Sequence, residues 1–275
     1  MRKPLLLLLA TLAAVAIACD GNGAPDPTAR EISDAELAAM VLPLEELGSA
    51  YADFERDDDS GFQSNEDKID DAFDEEDEEG DIERYGRVTG YDESYTSVEG
   101  LLEEGVFIIG TMVALYEDSD GASGDLKDEV NDSKDAEGTT DDGVTVGDVE
   151  EFDPDDIADE SVGLVLALSG EALGDLTFYG TLVAFRRGRI IGSVVIARFD
   201  DEDVRDEATE LARKLAERVQ AVLRGEVEAR TALDGAALSV RVPVSWRRPS
   251  PFSMMPGRRP GTAGSPLRRS AAATP

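Results

Sequence analysis

Carboxylates dominate the chemistry this chain could offer. Its 275 residues carry 61 Asp and Glu against 26 Lys and Arg, with one cysteine and no histidine. Paired carboxylates could hydrolyse a glycosidic bond, one raised in pKa as the acid and the other ionised. With 61 acids and only 6% aromatic residues, nothing selects a pair, and no catalytic residue is assigned. Calcium is the second use of acids. An EF-hand loop needs oxygens at its first, third and fifth positions, glycine at the sixth and glutamate at the twelfth. Gly61 in the sixth place puts Arg56 first, and Gly121 there puts Tyr116 first and Lys127 twelfth, so both registers fail. Asp57, Asp58 and Asp59 remain as a weak divalent site of another kind. The plain alternative is a solvated acidic surface suited to high salt.

The other reactive groups narrow the function further. Without histidine there is no Ser-His-Asp or Cys-His catalysis and no imidazole-bound metal. Ser123, in Gly121-Ala122-Ser123-Gly124, lacks the second glycine of a nucleophile elbow and reads as a loop residue. A net charge of −35 argues against a nucleic-acid partner, because phosphate contacts need a basic face. Arg186, Arg187 and Arg189 are the one basic cluster inside the acidic body. They are candidates to hold an anion or a partner's carboxylate, against a hairpin tip that neutralises its neighbours. Tyr85, Tyr91 and Tyr95 with Phe178, Tyr179 and Phe185 could line a pocket on a sheet, though aromatics at strand spacing more often fill a core. The chain is expected to be no enzyme and to need no cofactor.

Cys19 has the most informative setting. Arg2 and Lys3 precede the uncharged run Leu5 to Ala18, which ends in Ala16-Ile17-Ala18, the plan of an export signal, shorter than the roughly 18–20 residues that span a bilayer. Ala16-Ile17-Ala18-Cys19 resembles the lipobox of bacterial lipoproteins, with alanine in place of the commoner leucine at Ala16. That resemblance implies a diacylglyceryl group on the Cys19 thiol, cleavage before Cys19, acylation of the new amine with a fatty acid such as palmitate, and a place on the outer side of the bacterial cytoplasmic membrane. Two or three acyl chains anchor durably where one is marginal. The alternative is ordinary cleavage after Ala18, leaving a free thiol.

These groups need elements to position them. Residues 1–18 read as signal peptide and 19–32 as a flexible tether with Gly21, Gly23, Pro25 and Pro27. Ser33-Asp34-Ala35-Glu36 is a capping box for a helix through Met40, and Pro43 restarts a turn before Leu44 to Leu47. The segment 53–83, with 17 acids and two bases, is expected to be mobile apart from a short helix carrying Ile69 and Phe73. Strands follow over Arg87–Tyr95 and Gly105–Tyr116. The second is apolar on both alternating sets and should be central, covered on both faces. A weak helix through Ala122, Leu126 and Val130 leads into a polar loop from Ser133 to Gly143. Further strands run over Val162–Leu168, Leu176–Arg186 and Arg189–Phe199, the last two joined by a tight turn at Arg187-Gly188. The best helix spans Val204–Arg224, with Val204, Ala208, Leu211, Leu215, Val219, Val222 and Leu223 on one stripe.

The expected fold is α+β over 33–225, an antiparallel sheet with helices packed on it. Both halves run strands, acidic turn, helix, which raises a two-part duplication without a residue-level repeat. Residues 226–275 form a basic tail, free of acids after Asp234, expected to be mostly disordered. The second half, with its Phe185-Arg186-Arg187-Gly188 hairpin, loosely resembles actinobacterial extracytoplasmic sensor domains, such as those of some serine/threonine kinases. The resemblance implies ligand or partner sensing and brings no site residue. The leading reading is a noncatalytic surface lipoprotein that binds a small molecule or a protein. The alternatives are a structural acidic envelope protein and a carboxylate-dependent envelope hydrolase.

Overall fold

The computed structural model describes residues 27–70, 72, 75–97, 100, 105–141, 143–170 and 176–227. The signal stretch, Cys19, most of the tether, Phe73 and nearly all of the basic tail lie outside the described residues. Six helices and nine strands form the described part. The helices are α1 (Asp34–Met40), α2 (Leu44–Leu47), α3 (Asn65–Asp70), α4 (Glu75–Tyr85), α5 (Ser119–Asp135) and α6 (Arg205–Leu223). The strands are β1 (Glu55–Arg56), β2 (Gly61–Gln63), β3 (Arg87–Thr96), β4 (Val106–Tyr116), β5 (Thr140–Asp141), β6 (Val144–Phe152), β7 (Glu160–Ser169), β8 (Thr177–Arg187) and β9 (Ile190–Arg198). They make one antiparallel sheet in the order β1-β3-β4-β9-β8-β7-β6-β5, with β2 also on the outer edge of β3. This is the α+β architecture expected from the sequence.

The two-sided apolar pattern of β4 has its predicted cause. Ile109, Val113 and Leu115 pack with α1 and α6, while Ala114 and Tyr116 pack with Ala122 and Leu126 of α5 on the opposite face. The α6 stripe is buried along its length, from Ala208 through Leu211, Leu215 and Val219 to Leu223. Each of its larger side chains contributes about 1.5–3 kcal/mol relative to exposure. Gly225, at φ 71°, follows it in the left-handed conformation that ends helices. The Ser33–Glu36 capping box forms in both directions. Gly188, at φ 57°, supplies the positive φ of the β8–β9 hairpin.

Three expectations differ from the structure. The acidic segment 53–83 carries β1, β2, α3 and most of α4, with the strands paired to β3. Neither helix buries a residue, so charge keeps this segment solvated without preventing regular structure. The loop expected from Ser133 is still helix to Asp135, because the Ser133 hydroxyl donates to the Glu129 carbonyl (2.7 Å) and is satisfied within the helix. The duplication also fails a symmetry test. A rotation exchanging the antiparallel neighbours β4 and β9 has its axis normal to the sheet, so it would leave the helices that follow on one face. Instead α5 and α6 cover opposite faces.

Candidate functional site

The predicted arginine cluster sits at the β8–β9 hairpin, but its members serve different neighbours. Arg186 pairs with Glu160 (3.1 Å) and Asp159 (3.5 Å). Arg189 works as a staple: Nε, Nη1 and Nη2 donate to the carbonyls of Thr28 (2.8 Å), Tyr116 (2.9 Å) and Arg30 (2.8 Å), and its backbone N–H donates to Thr28 Oγ1 (3.1 Å). Arg187 follows Arg186 along the strand and therefore points to the other face. Its Nε is buried without a partner among the described residues. The three guanidinium groups do not converge on one anion site.

The other candidates are dispersed as well. Asp57, Asp58 and Asp59 lie in the turn between β1 and β2, and Asp58 and Asp59 are exposed. Among the described residues, no group of three or more Asp, Glu, His or Cys is arranged to hold a metal ion. Tyr95 and Phe185 are buried in the main core, with Tyr91 against it, while Tyr85 packs on the α5 face and Phe178 in a third cluster. They line no common pocket. Ser123 is on α5, not in a loop. Its hydroxyl contacts both Glu160 oxygens at 2.9 Å, and Lys127 Nζ donates to Ser123 Oγ at 2.7 Å. The Lys127 side chain is 67% exposed and 3.7 Å from Glu160. That is the setting of an ion pair, whereas a general base lysine needs a desolvated amine. Burial pushes the Glu160 carboxyl up, but hydrogen bonds from Ser123 and Arg186 outweigh it and hold the group below its ordinary range.

A cleft of about 490 Å³ lies instead where the turn after α2 meets the start of α6. Gly48, at φ 117°, lets the chain reverse into a 3-10 turn over Ser49–Tyr51. Tyr51 and Phe54 then meet edge to face, 5.2 Å between centroids, and form one wall. Tyr51 Oη donates to Glu207 Oε1 at 2.9 Å, fixing the turn to the first turn of α6. Burial, then the Glu207 charge, pushes the Tyr51 hydroxyl pKa up, so it stays a donor. Arg198, at the end of β9, forms the base and is only 7% exposed, paired with Asp200 and with Glu202 (2.7 Å).

The rim is acidic. Asp53, Glu202, Asp203, Asp206 and Glu207 all line the cleft, with Arg198 the one cation among its lining residues. Asp203, one residue before the Val204 N-cap, accepts the Arg205 amide at 2.9 Å, and the acids of the first turn suit the positive end of the helix dipole. The cleft has the size of small-ligand sites and a field that concentrates cations. Inside it the hydroxyl–carboxylate contact, Tyr51 on Glu207, keeps its proton on the tyrosine. The sequence reading singles out neither Tyr51 and Phe54 nor the Asp200–Asp203 run as a site. The usable signal was an acidic run directly before the strongest helix.

No family model matches the chain, and no curated protein matches it. Among solved structures, it is similar to the extracellular domain of PknH from Mycobacterium tuberculosis, at 13% identity and a TM-score of 0.46, over 70% of this chain and 98% of that domain. A likeness at that level brings neither a ligand nor a residue role to this chain. Among the described residues, no helix is long and apolar enough to cross a membrane.

Proposed function

We propose that this chain is a noncatalytic binding domain, anchored by lipid on Cys19 at the outer face of a bacterial cytoplasmic membrane. Its cleft takes a positively charged ligand, or a positively charged side chain of a partner. The observation that carries the binding role is the cleft itself: an aromatic wall, five carboxylates on the rim and a lone guanidinium already paired. The lipobox pattern at Ala16-Ile17-Ala18-Cys19 supports the anchor. The lack of histidine and the ion-paired state of Lys127 support a role without catalysis.

Calorimetric titration of the full chain with spermidine, with a tri-arginine peptide and with citrate tests the binding role. The reading expects saturable binding of a cationic probe, weakened by the pair Asp206→Asn and Glu207→Gln. The pair Asp58→Asn and Asp59→Asn, which removes equal charge outside the cleft, should leave it intact. Equal losses from both pairs would mean diffuse charge attraction and would overturn the assignment of the cleft.

A further inference from the structure

The layer in which α4 lies over α5, with α3 beside it against β2 and β3, is held in an unusual way. No residue of α3 or α4 is buried, so apolar packing does little to seat it. Its firm point is at one end, where the Tyr85 ring lies over α5. A Cβ on Gly124 would stand 2.5 Å from that ring, and one on Gly121 would stand 2.1 Å from the Tyr85 carbonyl oxygen. Only glycine allows this approach. Tyr85 Oη donates to Asp128 Oδ2, and Arg84 pairs with the same carboxylate at 3.0 Å. Gly86, at φ 66°, follows at once and turns the chain into β3.

Away from that pivot the contact is electrostatic and short of cations. Asp125 and Glu129 stand one turn apart on α5, and Asp125 accepts from the buried Tyr116 hydroxyl of β4. The charges facing this pair are Lys68 from α3, Glu78 and Asp81 from α4, and Arg87 from β3. Asp77, Arg84 and Asp128 flank Asp81. Lys68 is shared with Glu78 at 3.4 Å. Arg87 is 6% exposed, and two of its donors are committed to neutral oxygens, Asn65 Oδ1 and Gln63 Oε1, each at 2.8 Å. Four carboxylates thus share one lysine and one guanidinium, two of whose donors are held by neutral oxygens. Burial, then repulsion from Glu129, lifts Asp125 to about 7, and burial raises Glu129 as well.

We propose that α3 and α4 form a pH-responsive cover on α5, seated when the Asp125–Glu129 pair holds a proton and loosened as the pair ionises, opening about the Tyr85–Gly121–Gly124 contact. The direction follows from linkage. A carboxyl whose folded pKa lies above its unfolded value favours the seated state most at low pH, and that advantage is lost as pH rises toward the folded value. The two acids interact, so the transition belongs to the pair. The device is independent of what the cleft binds.

Amide hydrogen exchange of the full chain in detergent, corrected for intrinsic rates, tests this at about pH 5 and about pH 8. Protection of α3 and α4 should fall by roughly tenfold or more at the higher pH, with α6 unchanged. The double variant Asp125→Asn/Glu129→Gln keeps the acceptor for Tyr116 and should stay protected at both values. Equal protection in the native chain at both values, or pH dependence surviving in the double variant, overturns the proposal. Should the double variant lose protection in α6 too, Lys68→Gln decides. Removing the facing cation deepens the repulsion of the ionised pair in the seated state, so the loosening must move to lower pH, and no movement or an upward one refutes the mechanism.

Discussion

Replacing Arg189 by alanine should detach the start of the described chain from the sheet. Three donors of one guanidinium reach the carbonyls of Thr28, Tyr116 and Arg30 at 2.8 to 2.9 Å. Hydrogen bonds from a charged donor contribute about 1.5–3 kcal/mol each. Because the Arg189 side chain is half-buried and water can replace some of these contacts, about 1 kcal/mol per bond is the better figure. Arg189→Ala should therefore cost about 3 kcal/mol, or roughly 6–12 °C in Tm for a domain of this size. Lysine offers an ammonium without the planar fork, so Arg189→Lys should recover no more than about a third of the loss. Urea unfolding of the full chain gives the free energy, and hydrogen exchange over residues 28–33 gives the place. Thr28 and Ile32 are buried, at 0% and 7% exposure, and their amides should lose protection first. A loss below about 0.5 kcal/mol, or full recovery by lysine, would refute the staple. It would return Arg189 to the role of a free cation available to an anion.

Other consequences are equally open to measurement. Gly192→Ala puts a Cβ 2.4 Å from the ring of the fully buried Phe185 and should cost about 1–3 kcal/mol in chemical denaturation. Ser33→Ala removes the α1 cap and should cost about 1 kcal/mol. The hydrogen bond from Arg30, opposed by burial and aided by Ser33, holds Glu36 down at about 2. Its stabilisation is therefore present above the ordinary 4.5 and lost as pH falls toward 2. Glu36→Gln should flatten that acid limb of a stability-against-pH curve. Within the cleft, Glu207→Gln should weaken a bound cation by about threefold to tenfold in calorimetry, the worth of one half-exposed charge contact.

What the sequence disclosed follows from how local each signal is. The α1 cap, the β8–β9 turn and the α6 stripe are written in residues within one or two turns of each other, and all three occupy their expected places. The two-faced pattern of β4 also gave its central position, since only a covered strand can be apolar on both sides. β1 and β2 were hidden because charge argued for mobility, while their pairing with β3 joins residues 27 to 41 positions apart. The destination of the arginine cluster was hidden for the same reason. The partners of Arg189 are more than 150 positions away at Thr28 and Arg30, and no periodicity announces a side chain aimed at backbone carbonyls. The cleft needs the Tyr51 turn brought against α6 across 156 positions, and its acids are indistinguishable by type from the 61 in the chain.

Photo-cross-linking from within the cleft tests the central claim, that an anchored domain binds through this surface. With p-benzoylphenylalanine in place of Phe54, the chain is expressed in a bacterial host, in the anchored form and in a Cys19→Ala form exported through an ordinary signal. A discrete adduct is expected in the anchored form, lost in the Cys19→Ala form and weakened by Asp206→Asn with Glu207→Gln. An adduct pattern indifferent to both the anchor and the cleft acids would contradict the claim.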